Sequence, residues 1–220
     1  MPSQAYEVER RIGEGSMGVV HAVHDPVLGR RVAMKVLSRR LVGRRGVEQR
    51  FVTEARVTGQ LDHPNVVPVH ALCHSPDGDP AYTMKLVDGV NLRDLLEQHG
   101  AWVDAGKLDD TEDLPGRLEI FTKICDGVHY AHIRGVVHRD LKPENVMVGR
   151  HGEVYVMDWG LARVRGRADR HDLTLRDAPP AEWAVATDRR EDASGGSGDE
   201  LLTMDGDVVG TPAYMAPEQA

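Results

Sequence analysis

The chain has 220 residues, 40% hydrophobic and 28% charged, which is enough for one two-lobed domain or two small ones with a buried core. A formal net charge of −8 with no concentrated Lys/Arg stripe excludes a nucleic-acid binder that works by neutralising phosphates. Cys73 and Cys125 lack CxxC spacing, which excludes a disulfide framework or zinc site and makes a reducing, cytoplasmic setting the expectation; no apolar run of about 18 residues is present to cross a membrane.

The chain opens with a short, partly alternating strand over 6–12, followed by Gly13, Glu14, Gly15, Ser16, Met17 and Gly18 and a β-branched stretch over 19–23. Glycines at this spacing let backbone N–H groups approach phosphates, because no Cβ stands in the way. A ligand-free turn and a dinucleotide-binding fold compete with that reading. The dinucleotide fold needs a helix directly after the glycines, whereas here the chain runs through the turn 25–29 into a second strand over 31–37. A hairpin of that kind suits a flap over phosphates.

The second strand ends its apolar run at Lys35, which reads either as an edge residue reaching solvent or as a phosphate ligand. A helix is predicted over 48–61, stopped by Asp62-His63-Pro64, with Phe51, Ala55, Thr58 and Leu61 on one face. Glu54 lies beside that face and would hold Lys35. Glu48 is the alternative partner, although an acid is expected near a helix start for dipole reasons alone. Arg39, Arg40, Arg44 and Arg45 read as a solvated basic face. Strands are predicted over 66–72 and 81–87 around the turn 75–80, with a break and hinge at Asp88-Gly89.

A short helix over 91–99 is predicted, capped by Asn91 and ended by Gly100, then a polar loop with a helical turn over 101–115. Ile120, Ile124, Val128 and Ala131 recur at helical spacing and predict a helix over 118–133, stopped by Gly135. Cys125, His129 and His132 on it read as packing or capping residues. The next loop, 138–145, carries Asp140, able to receive a hydroxyl proton, the cation Lys142 and the oxygen ligand Asn145, a set suited to phosphoryl transfer from a nucleotide to a hydroxyl. A hairpin over 146–148 and 154–157 then delivers Asp158, which is either a turn residue or, with Asn145, a flank for Mg²⁺.

GEGSMG (13–18), VAMK (32–35), Glu54, HRDLKPEN (138–145), DWG (158–160) and GTPAYMAPE (210–218), in this order, resemble the eukaryotic-type (Hanks-type) Ser/Thr protein kinases, in bacterial-like wording, over about 6–220. The resemblance implies an α+β, bilobal protein-kinase-like fold: an N-lobe over 6–88, with an antiparallel sheet and one main helix, and an incomplete helical C-lobe over 89–220. It implies ATP and Mg²⁺ as cofactors and protein Ser/Thr hydroxyls as substrates. Gly13 to Gly18, with Glu14, Ser16 and Met17, would cover the ATP phosphates, and Lys35, held by Glu54, would contact them. Ile12, Val20 and Ala33 would roof the adenine, Met147 would floor it, Met84 would be the gatekeeper and Lys85 to Val87 the hinge. Asp140 would orient or deprotonate the substrate hydroxyl, Lys142 would contact the transferred phosphate, Asn145 and Asp158 would hold Mg²⁺, and Thr211 would help select Ser/Thr substrates.

The segment 163–209 has eleven acidic and seven basic residues and a Gly/Ser-rich tract, so 165–207 is expected to be disordered within an activation segment of about 158–218. By resemblance, a phosphate on that segment pairs with Arg139; Thr203 is the favoured site, followed by Thr187, Ser194 and Ser197. Trp159 replaces the usual Phe as an apolar wedge, and Thr58 stands where a larger apolar residue is usual. The chain stops at Ala220, two residues past Glu218. It is therefore expected to be a fragment of a longer kinase or a truncated product, weak or inactive alone, with apolar surface on 118–133 inviting self-association or a partner. The alternative function is a truncated, non-catalytic nucleotide-binding or regulatory module.

Overall fold

In the computed structural model, which describes residues 6–15, 17–105, 114–164 and 211–216, the strand-forming stretches of the first third pair as one antiparallel sheet of order β1-β2-β3-β5-β4. Its strands are β1 (Glu7–Glu14), β2 (Gly18–Asp25), β3 (Arg30–Leu37), β4 (Val69–His74) and β5 (Pro80–Met84). Asp25 shapes the β2–β3 turn: its Oδ1 accepts from the N–H of Val27 at 3.1 Å and of Leu28 at 3.2 Å. That satisfies two turn donors with one side chain.

Alternation sorts the sheet's two faces. On one, Tyr6, Val23, Val32, Met34 and Ala81 bury together, with Val36 and Cys73 packed against them. On the other, the register aligns Val20 with Lys35 and Tyr82, and Ala22 with Ala33 and Met84. The helix α1 (Arg45–Gly59) covers that second face with Phe51, which is fully buried and lies 5.2 Å, ring to ring, from Tyr82. β3 is therefore buried on both faces, which explains its unbroken apolar run. The helix begins three residues before the predicted 48–61 and ends two before it, and Leu61 is buried beyond it.

The strand predicted over 66–72 is displaced. Pro68 has no N–H to give a ladder, so β4 starts at Val69, while Val66 forms a parallel bridge with Val156. The strand predicted over 81–87 occupies Pro80–Met84 instead. Chain contacts divide the protein into two compact units: 6–60 with 68–86, and 61–67 with 87–164 and 211–216 among the described residues.

The second unit holds the sheet β6-β8-β9, made of β6 (Gly89–Asn91), β8 (Val146–Gly149) and β9 (Val154–Val156). β6 falls where a break is predicted. A Cβ on Gly89 would lie 2.0 Å from the Val148 carbonyl oxygen, so this glycine serves close strand approach. Asn91 caps α2 (Leu92–Asp104) as predicted, its Oδ1 accepting from the Asp94 N–H at 2.9 Å. The helix continues through Gly100, however, because a helical glycine costs only about 1 kcal/mol relative to alanine and does not by itself end a helix. α3 (Leu114–Ile133) starts four residues before the predicted 118, with Pro115 in its first turn, where a missing N–H is harmless. The loop predicted over 101–115 is thus helical at both ends.

On α3, Ile124, Gly127 and Ala131 are buried. Cys125, His129 and His132 are exposed, so of the packing or capping roles expected of them packing does not hold, while His132 lies in the last turn of α3, where a cation is favoured; Leu118 and Phe121 on the same helix are exposed too. After it, β7 (Val136–Val137) pairs antiparallel with β10 (Arg163–Val164). No helix among the described residues is long and apolar enough to cross a membrane.

Candidate active site

In the first unit the chemistry centres on Lys35. Its Nζ lies 2.5 Å from Glu54 Oε1, with side chains 11% and 1% exposed, so it is not an edge lysine in solvent. Glu48, the alternative partner, accepts from the Gly43 N–H at 2.7 Å. Removing either member of a buried pair leaves an uncompensated charge, so the two hold each other in place. The Tyr82 hydroxyl donates to the same Glu54 oxygen at 2.7 Å. The Thr58 hydroxyl donates to the Glu54 carbonyl at 2.8 Å.

The glycine-rich turn precedes this row. Gly15 N–H donates to the Gly18 carbonyl at 2.8 Å, and Ser38 N–H to the Met17 carbonyl at 2.9 Å. A Cβ on Gly18 would come within 2.0 Å of the Val36 carbonyl oxygen, so the fold itself requires this glycine. At Gly15 a Cβ would meet nothing within 4 Å, and at Gly13 only Val20, at ordinary contact distance. Among the described residues, nothing demands glycine at either position. Glu14 is exposed and paired with Arg11. Val20, Ala33 and Met84 share a sheet face with Lys35, while Ile12 is exposed and Lys85 half-buried. In the second unit, Val87 and Met147 are half-buried, and Met147 faces Tyr155 and Asn91 across its strand pairs.

The second unit gathers the remaining residues. β7 and β10 pin the two ends of the stretch 138–162, and the β8–β9 hairpin sets the register inside it. Val146 faces Val156, so Asn145 and Met157 sit opposite, joined by the Met157 N–H bond to the Asn145 carbonyl at 2.8 Å, and Asp158 follows directly. Asn145 Nδ2 donates to the Asp140 carbonyl at 2.8 Å and to Asp140 Oδ2 at 3.2 Å. Lys142 Nζ lies 3.0 Å from Asp140 Oδ2 and donates to Thr211 Oγ1 at 2.7 Å. The Thr211 hydroxyl in turn donates to Asp140 Oδ1 at 2.7 Å. Three predicted residues thus meet on the carboxylate of a fourth, Asp140.

Partial burial pushes the Asp140 carboxyl up, but the Thr211 bond, the bond and charge of Lys142 and the Asn145 bond outweigh it and hold it below the usual range. His138 has no role assigned by the sequence, yet it organises the loop. Burial holds its imidazole below the usual pKa; as a neutral ring it donates from Nε2 to the Met157 carbonyl at 2.8 Å and accepts the Asp140 N–H on Nδ1 at 3.3 Å. The buried Trp159 ring lies 4.6 Å from it. Its place between two apolar residues and the Arg139-Asp140 pair is the sequence signal. Arg139 and Asp158 take φ of 66° and 53°, left-handed values that cost roughly 1–3 kcal/mol in a non-glycine residue and concentrate at functional sites. Arg139 Nε donates to the Leu161 carbonyl at 2.8 Å. Ser16, Thr187, Ser194, Ser197, Thr203 and Glu218 lie outside the described residues.

A family model described as "Protein kinase domain" matches residues 6–220. The "Serine/threonine-protein kinase PknD" of Chlamydia trachomatis serovar D is 40% identical over 219 residues, covering 98% of this chain. The protein of the same description from Protochlamydia amoebophila is 35% identical over 221 residues, covering 99%. The chain spans 22% and 21% of these relatives, about a fifth of their length.

Proposed function

Because this chain belongs to the protein kinase domain family, we propose that it transfers the γ-phosphoryl group of ATP to Ser/Thr hydroxyls of protein substrates. The observation that carries this reading is the convergence of Lys142, Thr211 and Asn145 on the Asp140 carboxylate. A carboxylate held ionised at neutral pH can accept a hydrogen bond from an incoming hydroxyl, orient its oxygen for in-line attack and take its proton as the new P–O bond forms. Lys142, already beside that carboxylate, supplies positive charge to the transferred group, and Thr211 orients both.

The residues fit the cofactors the family uses. Gly13 and Gly15 leave room that the fold does not itself need, as close backbone approach to phosphates requires. Lys35, locked by Glu54, presents a cation to the same phosphates. Ile12, Val20, Ala33, Met84, the Lys85 to Val87 stretch and Met147 are assigned to adenine. Asn145 commits its amide nitrogen to Asp140, so its oxygen is the atom it offers a cation, and Asp158 adds a carboxylate. Two hard oxygen donors with substrate phosphates suit Mg²⁺, whose part when bound is to neutralise phosphate charge. Arg139 is assigned as the partner of a phosphate on the activation segment, with Thr203 as its site. A cytoplasmic setting remains our expectation.

The test is label transfer from ATP with Mg²⁺ to a Ser/Thr acceptor, comparing wild type with Asp140→Asn. Losing the base lowers transfer by about 10²- to 10⁴-fold. Equal incorporation by the two proteins would sink the catalytic reading in favour of a nucleotide-binding module.

A further inference from the structure

We propose that Tyr82 is a positioning residue for the nucleotide site: its hydroxyl fixes the Glu54 carboxylate, and with it helix α1, while Lys35 is shared with ATP phosphates. The inference rests on the reading of Lys35 as a phosphate ligand. Tyr82 sits beside Lys35 in the β3–β5 register and is 4% exposed. Its hydroxyl donates to Glu54 Oε1 at 2.7 Å, the oxygen that Lys35 Nζ approaches to 2.5 Å. Its ring lies 5.2 Å from that of Phe51, three residues before Glu54 on α1, and 5.9 Å from Lys35 Nζ. One side chain therefore touches the strand cation, the helix acid and the helix itself.

The physical need follows from the chemistry of the pair. A lysine ammonium ends a flexible chain with three donors, and phosphate oxygens compete with Glu54 for them. A carboxylate anchored only by that lysine loses its hold as the ammonium turns toward phosphate. A second donor on the same oxygen keeps the Glu54 rotamer fixed, and bonds to a charged acceptor are roughly twice as strong as neutral ones. A phenylalanine here would pack against Phe51 equally well and could not do this. Thr58, bonded to the Glu54 carbonyl, restrains the backbone, whereas Tyr82 acts on the carboxylate itself.

Calorimetric titration of Mg-ATP into wild type, Tyr82→Phe, Glu54→Ala and the double variant, with thermal melts of each in the absence of nucleotide, tests this. The expected result is that Tyr82→Phe weakens ATP binding about fivefold, Glu54→Ala weakens it further, and the double variant is no worse than Glu54→Ala. Unchanged affinity in Tyr82→Phe, or additive losses in the double variant, overturns the proposal. So does a Tyr82→Phe chain that loses its fold, since the hydroxyl would then be structural. If wild type itself binds no ATP, the reading of Lys35 fails first and takes the proposal with it, whereas ATP binding equal in wild type and Tyr82→Phe removes Tyr82 alone.

Discussion

A group that is to take a proton must lack one at the working pH, and Thr211, Lys142 and Asn145 all favour that ionised state at Asp140. Burial raises the carboxyl, whereas the Thr211 bond, the bond and charge of Lys142 and the Asn145 bond together bring it below its ordinary value. The acid limb of the pH–rate profile is therefore expected below the ordinary carboxylate value of about 3.9. Thr211→Val, which removes one donor, should move that limb upward and reduce turnover about tenfold; an unmoved limb contradicts the assignment. His138 reports in stability instead. Its folded pKa is depressed by burial, so between the folded and unfolded values the unfolded chain binds more protons. The associated stability is present above the unfolded value of about 6.5 and is lost as pH falls below it. The urea midpoint should drop between pH 7.5 and 5.5, and His138→Gln should flatten that dependence. At Lys35 the test separates fold from function. Lys35→Met strands a buried carboxylate and should cost about 3 kcal/mol in urea unfolding, while Lys35→Met with Glu54→Leu should recover much of it without restoring ATP binding.

At the level of elements, periodicity carried most of the sheet and both long helices, because alternation and helical spacing are properties of neighbouring residues. Boundaries failed where one residue has two meanings. Gly89 reads as a break and is a strand residue under a carbonyl, and Gly100 reads as a stop and lies inside α2. Pro68 moved a strand start that its apolar neighbours concealed. The difference between glycines is measurable. Gly100→Ala adds a Cβ with nothing within 4 Å, so it should stabilise the chain by about 0.5–1 kcal/mol in thermal or urea unfolding. Gly18→Ala drives its Cβ into the Val36 carbonyl and should destabilise strongly. Similar losses at both positions would mean that α2 does not run through Gly100.

For the molecule as a whole, the chemistry is split between two units, with Lys35 and Glu54 in one and Asp140, Lys142, Asn145, Asp158 and Thr211 in the other. The motifs were legible because each is short and local. The Asp140–Thr211 bond spans 71 positions and Tyr82–Glu54 spans 28, so neither follows from spacing. Tyr82 reads in sequence only as an aromatic in a strand; its hydroxyl gains meaning from α1 across the sheet face. A ligand that binds only the folded chain stabilises it by mass action, about 2.7 kcal/mol at a hundredfold excess over Kd. Mg-ATP should therefore raise the unfolding midpoint, and EDTA should remove the metal-dependent part of the gain. Asp158→Ala should reproduce the EDTA result without chelator, because it deletes a carboxylate ligand. Asp140→Asn should keep the midpoint shift while losing phosphoryl transfer, since Asp140 acts on the hydroxyl and not on the nucleotide. A chain whose midpoint rises equally with ATP alone, with Mg-ATP and in Asp158→Ala would place no metal at Asn145 and Asp158.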